Sequence, residues 1–278
     1  DMSLKNVLYF RKEKADRKAA EIQALQKSCK EQNISVFAQA DLVLFPKRLI
    51  EKYGIEKTFG DVRHPKTAEL LRAQIAETFR QFPHTDGLVV RIGETYLDDA
   101  PHHQGAIANK KSPEKTIIPL MQLLREEVCV KHNKKLIFRT WGSFDHDSKA
   151  YQQVSDAIDP HPNLMISIKH CEGDFHRGNS FSRSMGQGRH PQIIEVQCAR
   201  EYEGKGAYPN YIARGVIEGF EEHANMPADK INSIREFVET KPELYGGVWT
   251  WSRGGGWDGP YIKNEFWCDL NAWVLAQW

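Results

Sequence analysis

The chain has 278 residues, of which 40% are hydrophobic and 27% are charged. This ordinary globular composition excludes a disordered chain, a collagen-like repeat and a small disulfide scaffold. The 38 basic and 37 acidic residues nearly cancel, so no overall field attracts nucleic acid or an anionic membrane surface. The apolar runs are far shorter than the ~20 residues that a membrane span needs. We therefore expect neither nucleic acid nor a membrane as a partner.

Hydrophobic periodicity predicts helices that alternate with short apolar strands. In chain order, the predicted elements are a helix over 12–32, a strand over 34–38, a helix over 64–82, a strand over 87–92, a helix over 112–133, a strand over 135–139, a helix over 149–158, strands over 163–168 and 193–197, helices over 210–223 and 229–240, a strand over 247–251 and a helix over 262–278. This alternation indicates βαβ units and a parallel sheet. Because no Pro/Gly-rich linker interrupts residues 1–278, we predict one domain. Periodicity alone leaves a barrel and an open doubly wound sheet as alternatives.

Motifs for common cofactors are missing from the sequence. No predicted strand leads into a G-x-G-x-x-G or G-x-x-x-x-G-K-[ST] loop, so a dinucleotide or P-loop site has no support. The five cysteines are scattered without a C-x-x-C pair, and the histidine pairs 102–103 and 170/176 lack a framing carboxylate triad. We predict no metal and no cofactor.

Polar and aromatic residues recur where the predicted strands end, which is where function collects in parallel α/β folds. These residues are Arg91, Glu94, Arg139, Trp141, Asp145, Lys169, His170, Glu172, Asp174, Glu195, Arg200, Glu201, Tyr202, Trp249, Trp251, Arg253, Trp257 and Asp258. Paired carboxyl groups with stacking aromatics suit glycoside hydrolysis. Three cations at the strand ends would repel one another unless local carboxylates or an anionic substrate, such as a uronic acid, balanced them.

Structural roles remain open for the same residues. Glu94 could cap a helix or form an ion pair, and Asp174 could only turn a loop. Glu195 lies inside an apolar strand, where a glutamate usually points into a barrel mouth or pairs with an arginine. Arg139 and Lys169 could be the structural partners of these acids.

Tryptophan is concentrated at the carboxyl-terminal end, with six of the seven in the last thirty residues. Such a cluster is either core or a stacking surface for a sugar ring. Trp249 and Trp251 alternate on a predicted strand and should point to the same side of the sheet, although one of them could be plain core.

Three blocks of the sequence resemble glycoside hydrolase family 67, the α-glucuronidases. Residues 193–204 (IIEVQCAREYEG) resemble the family's E-L-Q-I-T-Q-E-Y-x-G stretch, and residues 166–176 (ISIKHCEGDFH) resemble I-Q-I-K-x-G-P-I-D-F-Q with equal Lys-to-Asp spacing. Residues 86–95 (DGLVVRIGET) resemble the strand that bears the family's general acid. Residues 136–141 and 254–260 show weaker similarity to the family. All these blocks occur in the same order along the chain as in the family.

The resemblance implies a (β/α)8 barrel of the TIM type that hydrolyses a uronic-acid-bearing oligosaccharide with inversion and without a cofactor. Glu94 then corresponds to the general acid, and Asp174 and Glu195 to the pair that orients and deprotonates the attacking water. Arg139 and Lys169 match the positions that hold the uronate carboxylate, with Arg91 as a helper. The complete candidate substrate-binding set is Arg91, Arg139, Trp141, Lys169, Glu201, Trp249, Trp251 and Trp257.

Family members have two further βα units before the strand that matches residues 34–38. Residues 1–10 hold at most a strand remnant, at 7–10, so we expect the first one or two strands to lie upstream, in a longer protein. A retaining barrel glycosidase on another glycan and a non-catalytic carbohydrate-binding barrel are the alternatives. The sequence leaves the compartment and the oligomeric state open, a homodimer included.

Overall fold

A computed structural model describes residues 4–43, 45–58, 60–91, 114–140, 143–173, 175–198, 210–225, 230–251 and 266–278. Its strands are β1 (Phe37–Asp41), β2 (Gly87–Arg91), β3 (Lys135–Arg139), β4 (Leu164–Lys169), β5 (Gln192–Gln197) and β6 (Tyr245–Trp251). The α-helices are α1 (Leu4–Glu31), α2 (Lys47–Tyr53), α3 (Pro65–Gln81), α4 (Glu114–Leu124), α5 (Ser143–His146), α6 (Ser148–Asp156), α7 (Ala213–Glu218), α8 (Ile234–Thr240) and α9 (Phe266–Gln277). A π-helical segment (Arg125–Lys131) continues α4, and short 3-10 turns occupy Glu221–His223 and Pro242–Leu244.

The six strands form one parallel sheet in the order β1-β2-β3-β4-β5-β6. A doubly wound sheet reverses its strand order at a switch point, whereas a barrel winds in one direction. Inner-face residues of all six strands, from Phe37 on β1 to Trp249 on β6, line a single cavity of about 420 Å³. The sheet therefore curls into a half-barrel. This confirms the predicted parallel α/β architecture and favours the barrel over the open doubly wound sheet.

Side chains along the strands divide between two faces because successive residues point to opposite sides of a sheet. The outer face is mainly apolar, and on four neighbouring strands its apolar residues are at most 1% exposed: Leu88, Val90, Leu136, Phe138, Leu164, Ile166, Ile168, Ile194 and Val196. A buried polar side chain on this face, Gln192 at the start of β5, is hydrogen-bonded to Tyr151 and to the carbonyl of Ser184. The inner face is apolar around the cavity and becomes polar toward the strand ends, with Arg139, Ser167, Lys169, Glu195 and Gln197. This change of character places the polar residues at one mouth of the half-barrel.

Helices cover the outer face in two hydrophobic clusters. The first joins β2, β3 and β4 to apolar residues of α3, α4 and α6, and the second joins β5 to α7, α8 and α9. Burial of these faces is the main stabilising contribution, at about 25 cal/mol per Å² of apolar surface. Within the described ranges, no helix combines the length and the apolar character required to cross a membrane.

Several sequence predictions differ from the structure. The helix predicted over 210–223 is the shorter α7 followed by a 3-10 turn, because Gly219 ends α7 with a φ of +97°, and the helix predicted over 229–240 begins only at Ile234, after its N-cap Ser233. Residues 7–10, interpreted as a strand remnant, belong to α1, which starts eight residues before the predicted helix. The first strand covers 37–41 instead of 34–38. Val36, just before it, donates its N–H to the carboxylate of Asp86 and accepts the backbone N–H of the same residue. Helix α2, whose single buried residue is Ile50, was not predicted because it is only seven residues long.

Candidate functional site

Parallel pairing brings the carboxyl ends of the strands to one edge of the sheet. Arg139 is the last residue of β3 and Lys169 is the last residue of β4, while Glu195 lies opposite Lys169 in the β4–β5 register. Trp249 is opposite Glu195 on β6, and Trp251 ends that strand. The predicted cation and carboxylate positions are therefore neighbours, as the strand-end pattern suggested.

Arg139 and Glu195 form a bidentate ion pair that crosses β4. Nε of Arg139 donates to Oε2 of Glu195 at 2.9 Å, and Nη2 donates to Oε1 at 2.6 Å. The side chains are 3% and 2% exposed, respectively. The guanidinium fork suits this side-on geometry, and the local exclusion of water strengthens the attraction. The sequence left open whether Glu195 pairs with an arginine. The structure shows that it does, with Arg139 as the partner.

Asp145 brings a second carboxylate to the same place. Its Oδ1 accepts a hydrogen bond from Oγ1 of Thr140 at 2.6 Å, and its Oδ2 lies 3.7 Å from Nζ of Lys169. Nζ of Lys169 also donates to the carbonyl of Gly173 at 3.2 Å. We refer to Arg139, Asp145, Lys169 and Glu195 as the strand-end cluster. Its charges cancel, two cations against two carboxylates, which offsets part of the cost of burying them.

The two strand tryptophans pack around the guanidinium of Arg139. Its Cζ lies 5.2 Å from the ring centroid of Trp249 and 4.9 Å from that of Trp251. The two rings point to the same side of the sheet, as predicted, with centroids 5.7 Å apart. Nε1 of Trp249 donates to Oγ of Ser167 at 2.7 Å. The ring surface that faces Arg139 takes part in a cation–π interaction. A sugar ring cannot stack on that same surface while the guanidinium lies over it.

The pKa of Glu195 reflects opposing effects. Burial raises the pKa of this carboxyl above its ordinary value, and the nearby Asp145 carboxylate raises it further, while Arg139 and Lys169 pull it down. The net direction is upward. A carboxylate with a raised pKa is a better proton acceptor near neutral pH, which is the property that a general base needs.

A short hairpin follows β4 and contacts the cluster through Gly173. Cys171 forms an antiparallel bridge with Phe181, and the backbone N–H of Glu172 donates to the carbonyl of Ser180 at 2.9 Å. Gly173 has a φ of +75°, a left-handed conformation that glycine adopts without strain. This turn brings the Gly173 carbonyl to Lys169, so the hairpin is tied to the strand-end cluster.

Six of the predicted site residues lie in the described part of the structure. Arg139, Lys169, Glu195, Trp249 and Trp251 are brought together, and half-buried Arg91 ends β2 at the same edge of the sheet. The remaining candidates lie outside the described residues, and their assignments stay predictions: Glu94, Trp141, Asp174, Glu201 and Trp257.

Two residues of the site were not assigned from the sequence. Asp145 was noted as a polar residue after the third strand but given no role, since its place beside Lys169 depends on helix α5. Ser167 carried no sequence signal, because its partner Trp249 is 82 residues away. Among the residues that the structure describes, no group of three or more His, Cys, Asp or Glu side chains is arranged to hold a metal ion.

Comparison with solved structures gives only remote similarity. No protein-family model matches the chain, and no curated protein matches it. A chitobiase of Flavobacterium johnsoniae has a similar structure, with a TM-score of 0.42 and 15% sequence identity over 84% of this chain. The match spans 34% of the chitobiase, so the chain corresponds to about a third of that protein's length.

Proposed function

We propose that this chain is a distant member of the α-glucuronidase family, a barrel glycoside hydrolase that acts on a uronic-acid-bearing oligosaccharide. The observation that carries the proposal is that the buried side chains of Arg139, Lys169 and Glu195 lie in one cluster at the strand ends. Buried cations recognise a carboxylate, and a carboxyl group with a raised pKa can take part in proton transfer. All three residues occupy positions that the family resemblance singles out.

Arg139 retains hydrogen-bonding capacity for a substrate. Glu195 occupies its Nε and Nη2 groups, whereas Nη1 is buried and has no hydrogen-bond partner in the described part of the chain. A buried N–H of a guanidinium without an acceptor is costly, and a uronate carboxylate would supply that acceptor. Lys169 adds a second positive charge within the same cluster, so one carboxylate could be recognised by both residues.

Hydrolysis would proceed by direct displacement with inversion. Glu94 gives its proton to the glycosidic oxygen as the bond to the anomeric carbon breaks. A water molecule attacks the opposite face of that carbon and loses its proton to the carboxylate pair of Asp174 and Glu195. Inverting enzymes keep their two carboxyl groups ~6.5–9.5 Å apart so that the water fits between them. Every step uses amino-acid side chains and water only.

The decisive experiment combines product stereochemistry with substitutions. Aldouronic oligosaccharides are incubated with the protein, and proton NMR follows the anomer of glucuronic acid that appears first. Inversion is expected, and Glu94→Gln, Asp174→Asn and Glu195→Gln should each lower kcat at least ~100-fold. Glu69→Gln, a substitution of an exposed carboxylate on α3, is the control for handling and folding. Undiminished turnover in the Glu94 variant would remove the proposed acid.

One observation favours a second candidate, a carbohydrate-binding barrel without catalysis. Both oxygens of Glu195 accept hydrogen bonds from Arg139, so this carboxylate is engaged structurally in the resting site. Calorimetric titration with the same oligosaccharides separates the candidates. Tight binding with no product after prolonged incubation of the intact protein would favour the binding module.

A further inference from the structure

Ser167 occupies an unusual position on the inner face of the half-barrel. It lies on β4 two residues before Lys169, is 1% exposed and belongs to the same face of the sheet as Lys169. Ser167 faces Arg139 directly in the β3–β4 register. Its hydroxyl oxygen accepts the indole N–H of Trp249 at 2.7 Å. This hydrogen bond links the serine to an aromatic ring on β6, two strands away.

The hydrogen bond fixes the orientation of that ring. An indole has one N–H donor, and when this donor is bound to a buried acceptor the ring cannot rotate without losing the bond. The ring of Trp249 then presents its surface to the guanidinium of Arg139, with Trp251 as the second wall. Trp251 differs in this respect, since its Nε1 is buried without a hydrogen-bond partner among the described residues.

We propose that Ser167 and Trp249 are a positioning pair for Arg139. Ser167 locks the indole, the indole supports the guanidinium, and the guanidinium holds Glu195 in its bidentate geometry. Ser167 touches no substrate in this scheme and acts only through Trp249. The kinetic consequence rests on the proposed function, whereas the order of the Arg139 side chain does not depend on it.

Two features set this pair apart from ordinary core packing. The outer face of β4 carries Ile166 and Ile168, both fully buried among apolar side chains, whereas the serine stands on the inner face next to charged residues. Glu195 and Ser167 hold the Arg139–Trp249 contact from two directions, because one engages the guanidinium and the other the indole. Loss of either anchor should increase the freedom of Arg139.

NMR of the arginine Nε–H group tests the positioning directly. The Arg139 signal is identified by its loss in Arg139→Lys, and its hydrogen-exchange rate is compared in the full-length variants. Ser167→Ala and Trp249→Phe should each increase the exchange rate about five- to tenfold, the effect of losing one buried hydrogen bond. The double variant should exchange no faster than either single variant, because both remove the same interaction. Ser167→Thr keeps the hydroxyl and should restore slow exchange.

Ser155→Ala is the matched control for loss of a buried serine. Its hydroxyl accepts the backbone N–H of Arg189 at 2.9 Å, remote from the inner face. This variant should be less stable than the wild type and leave Arg139 exchange unchanged. Equal exchange rates in wild type and Ser167→Ala, or equal acceleration in the serine-155 variant, would overturn the proposal.

Kinetics provide a second, conditional measurement. If the protein hydrolyses uronosides, Ser167→Ala should raise KM several-fold and move the acidic limb of the kcat/KM profile to higher pH, because a less constrained Arg139 lowers the pKa of Glu195 less effectively. If Ser167 had a purely structural role, the Ser167→Ala variant would contain a smaller active fraction, but KM and the pH dependence of kcat/KM would not change. Should the wild type show no hydrolysis, the proposed function fails while the exchange measurement still decides the positioning role.

Discussion

Arg139 and Glu195 are joined by two hydrogen bonds across strand β4, and both side chains are almost completely buried. Each charge is compensated by the other, in surroundings where an unpaired charge costs several kcal/mol. The pair therefore couples stability to function, since the groups proposed to bind a carboxylate and to activate water also hold each other in place.

Removal of the guanidinium should destabilise the protein strongly and in a pH-dependent way. We expect Arg139→Met to lower the free energy of unfolding by about 3–5 kcal/mol near pH 7. Without Arg139, the pKa of Glu195 rises further above its value in the unfolded chain. A group with a raised pKa contributes stability below its unfolded pKa and loses it as the pH rises through the folded pKa. Urea unfolding should show a larger deficit at about pH 8 than at about pH 5.

A surface ion pair offers the matched control. Arg235 and Glu218 have the same bidentate geometry, at 2.7 and 2.6 Å, but both side chains are more than 40% exposed. Arg235→Met should leave the free energy of unfolding nearly unchanged, because solvent screens exposed pairs. Similar losses for the two variants would contradict the role assigned to burial.

Asp145 should set the pH range in which Glu195 is ionised. Its negative charge raises the pKa of Glu195, so Asp145→Asn is expected to lower that pKa. In the hydrolysis proposed above, the acidic limb of the kcat/KM profile would move to lower pH. Asp147→Asn removes a nearby exposed carboxylate that caps α6, and asparagine caps equally well. A shift of the same size in this control would show that the effect is not specific to the cluster.

Glu127 should stabilise the fold only while it is ionised. Burial opposes its charged form, but hydrogen bonds from Lys131 and Arg72, each 2.6 Å long, hold the pKa of Glu127 below its ordinary value. Glu127→Gln should lower the free energy of unfolding by about 1–2 kcal/mol at neutral pH, with the partners' partial exposure limiting the loss. A lowered pKa gives stability that disappears as the pH falls through the folded pKa, so the two proteins should converge in acid. Glu77→Gln, in an exposed pair with Arg80, should have little effect at any pH.

The five cysteines should differ sharply in reactivity. Burial raises the pKa of Cys129 to about 11 and that of Cys198 to about 12, and Cys171 and Cys268 are also buried. Since the thiolate is the reactive form, a disulfide reagent should label partly exposed Cys29 first. Cys29→Ser should abolish the rapid phase of thiol titration under native conditions. Persistence of that phase in the variant would mean that one of the buried thiols is accessible.

Much of the fold was predictable because the outer face of the sheet is mainly apolar. Strand β3 was predicted with its exact bounds, since Leu136 and Phe138 continue an apolar run that ends at Arg139. The first strand was misplaced because its residues include Gln39 and Asp41, which break the apolar pattern. Strand order was beyond periodicity, because a local pattern contains no information about which strands pair.

The site was predictable where its residues end strands and unpredictable where they act through distant partners. Arg139, Lys169 and Glu195 stood out as charges beside apolar runs, and the possibility that Arg139 pairs with Glu195 followed from the cost of burying either alone. Ser167 is a small polar residue within a strand and gave no such signal. Its role depends on an indole that comes much later in the chain, which only the folded sheet brings within reach.

The sequential strand order bears on how the molecule assembles during synthesis. Among the described strands, each pairs with its neighbours in the sequence, so every unit can add to the growing edge as soon as it leaves the ribosome. Pairing between successive strands keeps the mean sequence separation of contacts lower than a crossed strand order would. The Arg139–Glu195 link spans 56 residues, and it closes only when β5 joins β4. Until then the guanidinium of Arg139 in the nascent chain lacks its carboxylate partner. Formation of this link is therefore the step at which the charges of Arg139 and Glu195 become paired.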